Sequence, residues 1–138
     1  MNKIVDFNEI NYVAATFPVS SAAQTYLREN HLNAKTGNVD INGKNLAVKL
    51  NADGTVGFGT GTAADELLGI IIAYEQDGFA SVQITGGRDE VPTAARLDAG
   101  YKGLAVDAAG KLVVAEGARK VAVAKPSTAD ELYASILL

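Results

Sequence analysis

Apolar positions in this chain come in short runs, broken every few residues by glycine, asparagine or aspartate, and one such pattern occurs twice. Residues 50 to 61, LNADGTVGFGTG, align without a gap on residues 106 to 117, VDAAGKLVVAEG. Asn51 falls on Asp107, Ala52 on Ala108, Gly54 on Gly110, Val56 on Leu112 and Gly61 on Gly117. Each copy reads as strand, tight turn, strand: a polar residue opens the turn and a glycine stands where a positive φ is needed. With small gaps the match continues. Ile70-Ile71-Ile72-Ala73 corresponds to Val121-Ala122-Val123-Ala124, and Phe79-Ala80-Ser81-Val82 to Tyr133-Ala134-Ser135-Ile136. Residues 46 to 84 and 102 to 138 are therefore two versions of one β unit. A unit this short cannot bury its apolar face alone, so the two are expected to share one core. The expected fold is mainly β: a small barrel or sandwich from two duplicated β units, with an N-terminal arm and short helix.

The other segments fit around that repeat. Residues 1 to 32 form the arm and helix, and 33 to 138 the β-barrel-like domain. Pro18 biases Phe17 away from helix, so 11 to 19 reads as extended. Ser20 or Ser21 then caps a short helix over 22 to 30, with Ala22, Ala23, Tyr26 and Leu27 on one side. Residues 33 to 38 read as a polar linker. Asn42-Gly43 predicts a hairpin between 39–41 and 44–50. Two stretches are ambiguous. Residues 62 to 74 have helix-cap chemistry at Thr62, but Ile70, Ile71 and Ile72 are β-branched and the repeat argues for a strand. Residues 127 to 138 also read as a capped helix or, by the repeat, as a final strand over 133 to 138. Residues 86 to 99 read as an irregular crossover with a short strand near Arg96-Leu97. An apolar last residue predicts a packed C-terminus.

Composition narrows the function classes. A chain of 138 residues is one domain, able to bury roughly two-thirds of its unfolded surface. Its apolar content is mostly small residues, with 14 glycines and no Trp, which suits short strands and tight turns. The net charge of −4 and the lack of a basic stripe argue against nucleic acid as a partner. Arg119, Lys120 and Lys125 form the clearest basic cluster, expected on a solvated strand edge. The absence of cysteine excludes disulfides and thiol chemistry. The longest apolar run, 67 to 74, is far below the roughly 20 residues of a membrane helix, and the N-terminal residues do not read as a signal peptide.

Candidate chemistry is sparse. Asn51-Ala52-Asp53-Gly54 starts like a calcium loop, but the twelfth position, where a glutamate is required, is Thr62. Gly57-Phe58-Gly59-Thr60-Gly61 lacks the spacing of a dinucleotide fingerprint and reads as close packing. His31 is the one histidine and has no identifiable triad partner, so an idle, exposed ring is expected. The pairs Asp65-Glu66, Asp89-Glu90 and Asp130-Glu131 are adjacent in sequence; on a strand their members point to opposite faces, and they read as surface charge. No catalytic residue, metal site or cofactor is expected, and the chain reads as a non-enzyme. The better candidates are aromatics on a segment with little core of its own. Phe7, Tyr12, Phe17, Tyr26 and Leu27 are either a cover for their own barrel or an interface with another chain.

Residues 97 to 117, LDAGYKGLAVDAAGKLVVAEG, resemble phage capsid decoration, or cement, proteins and the related head-fibre proteins. The matching positions are Ala99-Gly100, Val106-Asp107, Gly110-Lys111 and Val114-Ala115, and residues 67 to 86 are similar to the paired strands ahead of that turn. The resemblance spans residues 46 onward and leaves 1 to 32 unmatched. It implies a β-rich barrel-like domain on the outer surface of a phage head, with the major capsid protein as partner and a homotrimer as assembly. The chain would be made in the host cytoplasm and reside on the virion as a decoration protein or head-fibre base, with no nucleic acid or membrane as partner. The alternative is a β-barrel binding module for a cell-surface glycan or protein.

Overall fold

Asn51 and Asp107 open the two matching turns in the same way. The computed structural model describes residues 12 to 138, so Phe7 lies outside the described residues. Gly54 N–H donates to Asn51 O at 3.0 Å, and Gly110 N–H to Asp107 O at 3.2 Å. Both glycines have the left-handed backbone the turn demands, with φ of 85° and 77°. A carboxylate fastens each loop: Asp53 Oδ1 accepts from Thr55 N at 3.0 Å, and Asp107 Oδ1 from Ala109 N and Lys111 N at 2.9 Å.

Those turns join strands of two five-stranded sheets with the same internal order. The first sheet holds β1 (Ala14–Pro18), β4 (Ala47–Leu50), β5 (Val56–Gly57), β6 (Gly69–Glu75) and β7 (Phe79–Gln83). Its order is β1-β7-β6-β4-β5. The second holds β8 (Gly87–Pro92), β9 (Gly100–Val106), β10 (Leu112–Val114), β11 (Lys120–Lys125) and β12 (Tyr133–Leu137), in the order β8-β12-β11-β9-β10. Both ambiguous stretches thus end in strands, as the repeat requires. A 3-10 turn, Ala63–Asp65, precedes β6. Each sheet carries an equivalent bulge. Ile72 is the extra residue between β6 and β7, and Ala124 between β11 and β12. The bulges therefore equate Ile72 with Ala124, one position away from the gapped sequence match.

The duplication also reaches further upstream than the sequence match. Pro18 sits opposite Phe79, and Pro92 opposite Tyr133. Just past each proline the chain bridges to the far edge of its own sheet, Val19 to Val56 and Thr93 to Leu112, both parallel. Ser20 N donates to Val56 O at 2.9 Å and Ala94 N to Leu112 O at 3.0 Å. Residues 86 to 92, expected as irregular crossover, are thus the β8 counterpart of β1, and no strand forms at Arg96-Leu97. The extended segment expected at 11 to 19, whose first residue lies outside the described residues, contains β1, which pairs along its length with β7. Among the described residues neither sheet closes into a barrel; each curls until one bridge joins its edges, and the two pack in a sandwich-like arrangement.

Between β1 and β4 the first unit carries an insertion. Helix α1 (Ser21–Asn30) starts at Ser20, whose Oγ accepts from Ala23 N at 3.2 Å, and buries Ala23 and Leu27. The short strands β2 (Leu32–Asn33) and β3 (Asn38–Val39) follow. They pair with each other, so the stretch expected as linker is their turn. Asn42-Gly43 does make a turn, closed by Lys44 N to Ile41 O at 3.1 Å, but 39–41 does not pair with β4.

Instead of one shared core there are two. Leu27, Ile41, Val48, Val56, Ile71 and Val82 centre the first, and Val91, Leu104, Val106, Leu112, Val121 and Ile136 the second. They divide because the first sheet is apolar on both faces: Leu46 and Val48 point to the first core, Ala47 to the second. The connector between β5 and β6 also crosses into the second unit. Gly59 N donates to Asp107 O, Gly61 N to Val106 O and Leu67 N to Leu104 O, at 3.2, 2.9 and 3.0 Å. Leu138 packs against the second core, as its apolar character predicts.

Candidate functional site

The acidic pairs divide sharply. Asp65 and Asp89 are buried, against the expectation of surface charge, while Glu66, Glu90, Asp130 and Glu131 are exposed. Asp65 Oδ1 accepts from Lys49 Nζ at 2.6 Å, and its Oδ2 from Thr60 N at 2.7 Å and Thr60 Oγ1 at 2.8 Å. The Lys49 bond, followed by the two from Thr60, holds the carboxyl at about 2. Asp65 thereby pins the glycine-rich connector. A Cβ on Gly59 would lie 2.5 Å from Asp65 Cβ, so close packing, rather than a phosphate cradle, explains that glycine. Asp89 Oδ1 accepts a short bond from Ser135 Oγ on β12.

Asp89 belongs to a polar cluster joining the two units. Asn45 Nδ2 donates to Asp89 O at 2.9 Å and Glu90 O at 3.3 Å, and Arg88 Nε donates to Asn45 Oδ1 at 3.1 Å. Asn45 and Glu90 are the described non-glycine residues with positive φ, at 55° and 56°. Glu90 lies at a second bulge, between β8 and β12. Beside this cluster a cleft of about 1220 Å³ opens between the units. Lys44, Lys111, Lys125, Glu90, Glu131 and Tyr133 are among its lining residues. His31 stands at its rim. Burial, then the charge of Lys44, pushes the His31 imidazole below its usual value, and its ring lies 6.1 Å from that of Tyr26. Among the described residues there is no cluster of His, Asp and Glu able to hold a metal, and no helix is long and apolar enough to cross a membrane.

The expected contact residues do not form one surface. Leu27 is fully buried in the first core and offers nothing to a partner. Tyr26 lies edge-on to Phe58, ring centroids 5.3 Å apart, and Phe17 packs against the same core. Tyr12 is 47% exposed and flanked by Val13 at 55%. Phe79, opposite Pro18, is also exposed, as are Tyr101 and Tyr133 on the second sheet. Of the expected set described here, Tyr12 alone presents a largely free ring. Helical spacing placed Tyr26 and Leu27 on an apolar face, but spacing does not say whether that face meets its own sheet or another chain. Arg119, placed by sequence at a solvated edge, reaches across to the first unit: its Nη1 donates to Leu68 O at 2.8 Å. No sequence signal marks that role.

Compared with family models, curated proteins and solved structures, the chain matches none.

Proposed function

We propose that this chain is a non-enzymatic virion structural protein that binds the outer surface of a phage head, as a decoration protein or head-fibre base, with the major capsid protein as its partner. The observation that carries the reading is how the two β units are joined. The connector of the first runs along β9 of the second, and Arg119 ties the second back to the first. That makes one stiff body with apolar side chains displayed on its strands, suited to clamping onto a regular surface. The stretch behind the resemblance, residues 99 to 115, is β9, its turn and β10, part of the repeated unit itself. The buried carboxylates serve structure: Asp65 is held far below the range of a neutral-pH acid or base. Antibody labelling of intact virions should decorate the head surface, whereas labelling absent from heads would remove the reading.

A second reading is favoured by the cleft. Its exposed Tyr133, flanked by Lys125 and Glu131, combines a ring face with charged hydrogen-bonding groups, which suits a cell-surface glycan. A glycan array probed with the full chain separates the two; binding lost in Tyr133→Ala would favour the module.

A further inference from the structure

The duplication supplies an internal comparison between the two edge strands that occupy the same place, β1 and β8. The outer side of β8 is blocked throughout. Gln83 Nε2 donates to Gly87 O at 2.8 Å, and Asn45 Nδ2 covers Asp89 O and Glu90 O. Glu90 breaks the ladder with its bulge, Pro92 has no N–H, and Arg88, Asp89 and Glu90 put charge on the strand. These are the devices by which proteins stop an edge from pairing with another chain.

The edge of β1 has almost none of them. Val13 O accepts from Ile84 N and Val19 N donates to Gly78 O, so odd-numbered residues face β7. The N–H and C=O groups of Ala14 and Thr16 therefore point away from the sheet. On that side, among the described residues, β5 meets the chain only through the single bridge at Val19, just past the strand, and does not reach Ala14 or Thr16. It carries no bulge, and its one blocking residue, Pro18, stands at its end. Residues 10 to 27 contain no charged side chain, the longest such run in the chain. Tyr12, Val13 and Phe79 add exposed apolar surface beside it.

We propose that β1 pairs antiparallel with β1 of a second copy of this chain. Ala14 and Thr16 would exchange backbone hydrogen bonds with Thr16 and Ala14 of the second copy, around a two-fold axis beside Ala15. An antiparallel pair of identical strands is self-complementary and closes at two chains. Charge selects the same occupant. Two copies at −4 each repel, and the charge-free edge is where they approach at least cost. A charged partner strand would gain nothing at an edge without charge. The contact does not depend on the capsid reading, and it puts a dimer in place of the homotrimer that the resemblance implies.

Sedimentation equilibrium of the full chain over a hundredfold concentration range tests the pairing, with hydrogen exchange read at Ala14 and Thr16. The pairing requires a monomer–dimer equilibrium, with those two amides slowing as the dimer fills. Thr16→Pro removes an outward N–H without taking a donor from the β7 ladder, and Ala14→Lys adds an edge charge; each should weaken the dimer at least tenfold, with circular dichroism confirming a native fold. A chain monomeric throughout overturns the proposal. So does an oligomer that either folded variant leaves unchanged, or one whose formation leaves the two amides fast. Protection already complete in the monomer would mean the chain covers its own edge, and overturns it equally. Should both variants fail to fold, the wild-type exchange decides.

Discussion

Asp65 shows how a residue's surroundings overrule its sequence character. Beside Glu66 it reads as solvated charge, yet it accepts from Lys49 and twice from Thr60 across the connector. Its folded pKa, about 2, lies below the unfolded value of 3.8. As pH falls the unfolded chain takes up this proton first, so the stabilisation is complete above about pH 4 and lost between about pH 4 and pH 2. Asp65→Asn should lower stability at pH 7 by about 1–2 kcal/mol, the scale of hydrogen bonds to a charged group, reduced where water reaches them. Urea titrations at pH 7 and pH 2 check this: the gap between wild type and variant should shrink towards the lower pH. Nothing in the sequence pairs Asp65 with Lys49, because their meeting depends on where the connector crosses.

At the scale of elements, much of the fold was legible. The turns at Asn51 and Asp107 set φ locally, and the repeat decided between helix and strand at β6 and β12. Ser20 marked the start of α1. That cap should contribute about 1 kcal/mol, so Ser20→Ala should lower the thermal midpoint without changing the denaturant slope. A lost cap with no shift in midpoint would mean α1 is held by packing alone. What escaped the sequence has a common cause. The β1/β8 equivalence rests on Pro18 and Pro92 in otherwise dissimilar strands, and an insertion of helix and hairpin separates β1 from β4. The Asn42-Gly43 turn was legible, but the partner of residues 39–41 was not, since β2 and β3 pair over two residues each, Leu32 with Val39 and Asn33 with Asn38, too short a run to show a pattern. For the candidate contact surface, aromatic spacing found Tyr12 but not the difference between Tyr26, packed on Phe58, and a free ring.

The whole molecule is two repeats that cannot be pulled apart. Backbone bonds from Gly59, Gly61 and Leu67 enter the second unit, and Ala47, beside them, donates to Gly110 O at 2.7 Å. Calorimetry should therefore show one transition, with calorimetric and van't Hoff enthalpies equal; two resolved transitions would show independent halves. Arg119→Ala leaves carbonyls of Leu67, Leu68 and Ile84 without their donor and should cost about 1–3 kcal/mol while keeping the single transition. That single body is what the proposed role on a phage head needs. Its most direct test is co-sedimentation of the full chain with purified heads that lack it. Saturable pelleting at a fixed number of copies per head is the predicted result. A chain that stays in the supernatant at every concentration contradicts the capsid role.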